Sequence, residues 1–235
     1  MNVLEGLVDH TFVINLAHRT DRRAQVTAEL AGIGYESAER FDAYGVNNPP
    51  PERYTQGIEN FQMSGWYGNK FSHYAVIEAA KERHSRSVMV FEDDVTFHPK
   101  FNAIVGLALD QLKHLDWDWL QFGGNHRYFG GIDTEASPID GMKYAYPKDG
   151  LAPVMPNLAR IQKMLTAHAY VVKDSVYDFI LANAIQSPLS IDGFYGYEVH
   201  PRFKCFCVIP CVAQQVPGMN DIGMVYSDYR PYIGD

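Results

Sequence analysis

Ser87-Val88-Met89-Val90-Phe91-Glu92-Asp93-Asp94 is the stretch on which the fold turns. The apolar run Ser87–Phe91 reads as a strand. It ends abruptly in three carboxylates. Alternate residues of a strand share a face, so Glu92 and Asp94 are expected to point one way and Asp93 the other. Three adjacent carboxylates repel one another, and a strand that ends so gains from a cation. Hard oxygen ligands suit Mg²⁺ or Mn²⁺, particularly when substrate phosphates complete the coordination. A solvated strand end whose acids cap the next segment accounts for the same triplet, and the triplet alone does not choose.

Outward from this strand the chain alternates strand-like and helical segments, the pattern of an α/β domain. Upstream, Phe71, Tyr74, Ile77 and Ala80 repeat at three-residue spacing and predict a helix from about Asn69 to Arg83. Residues 45–68 are rich in turn formers. Thr11–Leu16 reads as a buried strand, after which Thr20 or Asp21 caps a helix through Leu30 that Gly32 or Gly34 ends. Downstream, Pro99 suits a first helical position ahead of Phe101, Ile104, Val105, Ala108, Leu109 and Leu112. Asp116–Phe122, Leu165–Val172 and Phe203–Ile209 supply further strands, with a helix near Asp174–Ala184. Gly123 to Lys163 has many Gly and Pro residues and weak periodicity, so a long irregular segment is expected there, of the kind that is usually functional. With no repeat and no linker, residues 1–235 are expected to form one domain.

The chain has 235 residues, 46% of them hydrophobic, which suffices for a sizeable core. A formal net charge of −8 argues against a nucleic-acid partner, since phosphate-backbone binding needs an excess of Lys and Arg on one face. The opening MNVLEGLVDHTFVINL has no basic leader before an apolar stretch, and Phe12–Leu16 is too short to span a bilayer. Cys205, Cys207 and Cys211 are too few and too clustered for a disulfide framework, and read as buried small hydrophobes rather than a zinc site. A reduced, cytoplasmic protein with no membrane span, at most peripherally attached, is expected.

A basic cluster, Arg19, Arg22 and Arg23, falls at a predicted helix start, where the macrodipole disfavours cations and anions belong. A diphosphate would compensate; so would ion pairs with Asp21 or Glu29. His73, His168 and His200 are candidate ligand contacts, although a lone histidine is more often structural. Trp66, Trp117 and Trp119 serve equally as core or as sugar-stacking faces.

Taken in order, these segments resemble glycosyltransferase family 25, the family of lipooligosaccharide-biosynthesis galactosyltransferases and procollagen galactosyltransferase catalytic domains. The resemblance is carried by Val13-Ile14-Asn15-Leu16 with Arg19, Asp21 and Arg22, by Phe41-Asp42-Ala43, and by Ser72-His73-Tyr74. It continues through Val90-Phe91-Glu92-Asp93-Asp94-Val95 and Trp117-Asp118-Trp119-Leu120 to Gly123. Ala169-Tyr170, Pro188 to Asp192, and Asn220-Asp221-Ile222 complete it, over roughly nine-tenths of the chain. The chain departs from the family pattern where Gly65-Trp66-Tyr67-Gly68 replaces a Gly-Cys-like pair, where His168 replaces a small residue, and where Asn220 replaces a Ser.

The resemblance implies an α/β fold of GT-A type, Rossmann-like with a mixed central sheet and the nucleotide at the carboxyl ends of its strands. It implies a metal-dependent inverting transfer of a hexose, galactose first, from a UDP-sugar to an acceptor hydroxyl on a lipooligosaccharide, another surface glycan or a protein glycan. Asn15, Leu16 and Arg19 would line the nucleotide site, and Arg22 would reach the diphosphate. Ser72 and His73 would flank the donor, with Glu92 and Asp93 beside it. Asp94 would bind Mn²⁺ (or Mg²⁺) directly, with Glu92 near it. An inverting step needs a carboxylate in reach of the acceptor hydroxyl; Asp192 is the first candidate and Glu198 the reserve. Asp192 also suits a helix cap. The alternatives are an inactive homologue that binds a sugar nucleotide or a protein, and an unrelated metal-dependent phosphohydrolase.

Overall fold

The structure, a computed structural model, describes residues 3–59, 61–125, 150–219, 221 and 226–228. Its centre is an eight-stranded mixed sheet. In chain order the strands are β1 (His10–Asn15), β2 (Glu39–Asp42), β3 (Ser87–Glu92), β4 (Val95–Phe97), β5 (Trp119–Gln121), β6 (Leu151–Met155), β7 (Leu158–Ile161), β8 (Ala169–Lys173), β9 (Cys205–Val208), β10 (Ala213–Gln215), β11 (Gly218–Met219) and β12 (Tyr226–Ser227). The helices are α1 (Thr20–Gly32), α2 (Glu52–Thr55), α3 (Gly65–Glu82), α4 (Phe101–Leu112), α5 (Asp174–Asn183) and α6 (Ile191–Phe194), and a wide helical turn, Tyr195–Val199, continues α6.

The sheet runs β2-β1-β3-β8-β5-β9-β7-β6, with β2, β1 and β3 mutually parallel and β8 antiparallel to its neighbours β3 and β5. The opening β1-α1-β2 unit is Rossmann-like, and the α/β, GT-A type fold with a mixed sheet expected from the sequence is the one observed. Alternation along β3 assigns the layers. Val88 and Val90 join one apolar cluster with Val76, Ile77 and Ala80 of α3 and Val176 and Ile180 of α5. Met89 and Phe91 join the other, with Val26 and Leu30 of α1 and Phe101, Val105 and Ala108 of α4. Both faces are therefore dry, which is why β3 reads as an unbroken apolar run. Cys205 and Cys207 are free thiols on the first face, in the role of small hydrophobes.

Several expectations need correction. The segment 123–163 is not wholly irregular: residues 151–161 form the β6–β7 hairpin, which joins the main sheet through β9. Its period is hard to see because β6 is an edge strand with a register shift between Pro153 and Met155. Residues 126–149 of that segment lie outside the described residues. Helix α3 starts at Gly65 rather than Asn69, because the Ser64 hydroxyl accepts the Tyr67 amide as a cap. The strand expected at Leu165 starts at Ala169, since Leu165 bridges Asn125 instead. Helix α4 starts at Phe101, two residues after Pro99.

Candidate functional site

The parallel strands β1 and β3 end side by side, Ile14 opposite Glu92, and deliver Asn15 and the acidic triplet to one edge of the sheet. Glu92 follows the register of Val88 and Val90 and so faces α3. There its Oε1 accepts from Asn69 Nδ2 at 2.9 Å and lies 3.1 Å from His73 Nε2. The other ring nitrogen of His73, Nδ1, is 2.9 Å from the Tyr170 hydroxyl, which is 3.2 Å from that of Tyr195. Burial keeps Tyr170 protonated, so its hydroxyl can donate to Nδ1 while Nε2–H points at the carboxylate. Burial alone would raise the Glu92 carboxyl, but the bonds from His73 and Asn69 and the nearby imidazoles hold it below the ordinary carboxylate range.

Asp93 turns to the α1 side. Asn15 Nδ2 donates to its Oδ2 at 2.7 Å, and Arg22 to its Oδ1 at 3.2 Å. Burial raises the Asp93 carboxyl, and those two donors oppose the rise. Asp94 stands between the two networks, 3.5 Å from Arg22, while Gln215 Nε2 lies 3.4 Å from both its oxygens and 3.3 Å from Glu92 Oε2. Glu92 and Asp94 thus converge on one amide, in keeping with the alternation expected for the triplet. Burial and the Glu92 charge push Asp94 up to about 7, against the pull of Arg22.

Gln215 reaches this point because β10 pairs antiparallel with β4, Gln215 opposite Val95. Gly123 makes that crossing possible: a Cβ there would lie 2.0 Å from the carbonyl oxygen of Ala213. His168 holds the same strand, with Nε2 3.2 Å from the Ala213 carbonyl and Nδ1 3.1 Å from Thr166 Oγ1.

Two of the three arginines at the start of α1, Arg19 and Arg22, are paired. Arg19 meets Asp21 at 3.0 Å and also the Asp221 carboxylate. Arg22 adds Asp221 at 3.6 Å and the Met219 carbonyl at 2.7 Å. Glu29 takes no part, since its carboxylate accepts the Phe97 amide. Leu16 is half-buried against the core beside Gly45.

A cleft with about 450 Å³ of open space lies on the α3 side, lined by Trp66, Asn69, Glu92, Thr166, Ala167, Ser190, Ile191, Asp192 and Gln215. It brings Glu92 and Asp192, the two acids proposed for different roles, to one opening. Ser190 caps α6 by accepting the Gly193 amide at 3.2 Å, so Asp192 does not cap the helix and its side chain borders the cleft.

Of the expected site residues only Glu92 and Asp192 line this cleft; Asn15, Leu16, Arg19, Arg22, Ser72, His73, Asp93, Asp94 and Glu198 do not. Ser72 is fully enclosed, donating to the Gly68 carbonyl at 2.6 Å and accepting the Tyr44 amide at 2.8 Å. Glu198 pairs with Arg202 at 2.7 Å on the wide turn after α6 and does not line it. His73, also enclosed, acts through Glu92. Asn69 and Gln215 were missed by sequence reasoning. Gln215 carried no signal, because a three-residue strand has no period; Asn69 read only as the start of a helix, just after the Gly65–Gly68 departure from the family pattern.

Among the described residues no three His, Cys, Asp or Glu side chains gather into a set that would hold an ion unaided. The donor set nevertheless fits Mg²⁺ or Mn²⁺. Two hard carboxylates converge on one point, and the buried Asn69 Oδ1 beside Glu92 has no hydrogen-bond partner among the described residues. Such ions are commonly held by one or two carboxylates, with waters and substrate phosphates filling the remaining positions.

The family model of glycosyltransferase family 25 (LPS biosynthesis protein) matches residues 8–194. The chain belongs to glycosyltransferase family 25. The match spans Asn15 through Asp192, while Glu198, Gln215 and Asp221 lie beyond it. Among curated relatives, procollagen galactosyltransferase 1-A of Xenopus laevis is 25% identical over an alignment of 237 positions that covers 92% of this chain and 37% of that protein. A glycosyltransferase 25 family member of Anopheles gambiae is 27% identical over 58% of this chain and 24% of its own length. An inactive glycosyltransferase 25 family member 3 of Homo sapiens is 28% identical over 49% of this chain and 22% of its own. The chain therefore spans only about a fifth to just over a third of the length of these relatives. A solved glycosyltransferase involved in glycosylation of the major capsid of PBCV-1 superposes with a TM-score of 0.40 at 12% identity, covering 84% of this chain and 80% of that one. No described helix is long and apolar enough to cross a membrane.

Proposed function

We propose that this chain is a metal-dependent, inverting glycosyltransferase that moves a hexose, galactose first, from a UDP-sugar to an acceptor hydroxyl. One observation carries the reading: Glu92 and Asp192 border a single cleft, and Glu92 shares the Gln215 amide with Asp94. Mn²⁺ or Mg²⁺, held by Asp94 and Glu92, would neutralise charge developing on the departing diphosphate.

The chain's own residues divide the remaining work. Arg22, beside Asp93 and Asp94, is placed to exchange part of its carboxylate partners for the donor diphosphate, and Arg19 to do so with it. Asn15 fixes Asp93 and so the turn from which Asp94 projects. His73 and Asn69 keep Glu92 ionised and aimed. Asp192 takes the proton from the acceptor hydroxyl as it attacks in line. Trp66 offers an aromatic wall to a pyranose. Lipooligosaccharide, another surface glycan or a protein glycan is the acceptor class, and the cytoplasm the expected compartment.

Asp192→Asn tests the division of labour. The variant should bind uridine diphosphate with Mn²⁺ as the wild type does, and lose hexose transfer by about 100-fold or more, the usual scale of general acid–base catalysis. Equal transfer rates would move the base elsewhere. Intact binding in a wild type without transfer to any glycan acceptor would instead support an inactive homologue, as two mammalian relatives are named.

A further inference from the structure

Lys70 is fully buried in the second turn of α3, immediately behind the cleft wall. Its Nζ lies 4.4 Å from the centroid of the Trp66 ring, one helical turn earlier, and donates to the Ser187 carbonyl at 2.5 Å. Among the described residues no carboxylate pairs with it, and burial pushes its ammonium down to about 8. A buried cation without a counter-ion is costly, and a Leu or Met would fill the same space without that cost. Of the two contacts that Lys70 does make, Trp66 lines the cleft, and Ser187 stands three residues before the lining residues Ser190, Ile191 and Asp192.

Trp66 is the α3 wall. Ser187 leads into the lining residues Ser190, Ile191 and Asp192, and it is itself anchored: its amide donates to the Asn183 carbonyl at 3.1 Å, and its hydroxyl accepts the Leu189 amide at 3.2 Å. Three residues on, Ser190 caps α6, and Asp192 sits in the first turn of that helix. The path from the ammonium to the Asp192 backbone is therefore a short run of fixed joints.

We infer that Lys70 is a positioning residue that ties the Ser187–Asp192 segment to the Trp66 wall and so sets where the Asp192 carboxylate stands across the cleft from Glu92. The inference rests on the reading of this cleft as the transfer site. The ammonium does not touch the triplet or Arg22, so its loss should leave nucleotide binding alone and act on the step that Asp192 serves.

The test uses the full chain with Mn²⁺ and three donors, UDP-galactose, UDP-glucose and UDP-N-acetylglucosamine, with water as acceptor and UDP release as the readout. Lys70→Met keeps the volume and removes the charge; Lys70→Arg keeps the charge. The expected result for Lys70→Met is a kcat at least tenfold lower, an unchanged donor KM, and an undiminished thermal shift with uridine diphosphate, with Lys70→Arg recovering part of the loss. Unchanged kcat in Lys70→Met overturns the role. So does a loss of kcat accompanied by an equal loss of nucleotide binding, since that marks general damage to the fold. If Lys70→Met does not fold, Lys70→Gln, which is uncharged and too short to reach the Ser187 carbonyl, decides: a lowered kcat with unchanged donor KM upholds the role, and wild-type kinetics overturn it. A wild type that binds uridine diphosphate but releases none from any donor overturns the transfer reading itself, and the role of Lys70 with it.

Discussion

His200 offers a prediction whose size follows from burial alone. The imidazole is 1% exposed, packs edge-on against Trp119 with centroids 5.7 Å apart, and finds no hydrogen-bond partner for either nitrogen among the described residues. Burial pushes it from 6.5 down to about 3. Above 6.5 both folded and unfolded chains carry it neutral, and it adds no pH dependence. Below 6.5 the unfolded chain takes up a proton that the folded chain refuses, so stability is lost as pH falls towards about 3. At pH 5 the deficit is about 1.5 pH units at about 1.4 kcal/mol each, or ~2 kcal/mol. For a chain of this size that is roughly 4–8 °C in Tm. His200→Phe keeps a ring against Trp119 and removes the titration. Thermal unfolding of wild type and variant at pH 7.5 and pH 5 isolates the effect, because the remaining histidines and carboxylates are common to both. The gap in favour of the variant should widen by ~2 kcal/mol at pH 5. Curves that fall in parallel would refute the buried, unpaired imidazole.

Further outcomes concern the site. Asp94→Asn should keep the fold and its thermal stability, since the acid is held near neutrality by burial and by Glu92, yet abolish any Mn²⁺-dependent shift with uridine diphosphate; a retained shift would remove Asp94 from the cation site. Because the Asp94 proton must leave before a cation binds, Mn²⁺ affinity measured by calorimetry should rise with pH up to about 7 and level off above it. Gly123→Ala drives a methyl into the Ala213 carbonyl, and should cost roughly 1–3 kcal/mol by denaturant unfolding while displacing Gln215 and weakening cation binding.

The sequence carried the layers of this fold well and its crossings badly. β3 was legible because both of its faces are buried, so hydrophobicity alone marked it. α3 and α4 were legible through one apolar stripe each. β2, with the pattern Glu-Arg-Phe-Asp, is an edge strand half open to solvent, and its composition does not announce it. β4 and β10 are three residues long and exist because they pair with each other, which no local signal encodes. The site followed the same rule. Glu92, Asp93 and Asp94 stand on a strand end, where alternation predicts direction, and Glu92 and Asp94 do converge. Ser72, expected beside the donor, is enclosed between Gly68 and Tyr44, and its motif is compatible with either a cleft position or a helix-packing one. Asn69, Gln215 and Lys70 became visible only with tertiary contacts. Arg19 and Arg22 at the start of α1 are reconciled by Asp21, Asp93, Asp94 and Asp221 together, of which only Asp21 is local.

The central claim is that a nucleoside diphosphate and a divalent cation bind here as one unit. Thermal unfolding with uridine, guanosine and cytidine diphosphates and the corresponding sugars, each with Mn²⁺ or with chelator, tests it most directly. A ligand at 100 times its Kd stabilises by about 2.7 kcal/mol, or roughly 5–10 °C. The account predicts a uridine-specific rise of that order that disappears with chelator and in Asp94→Asn. A rise indifferent to chelator, or none with any nucleotide, would contradict it.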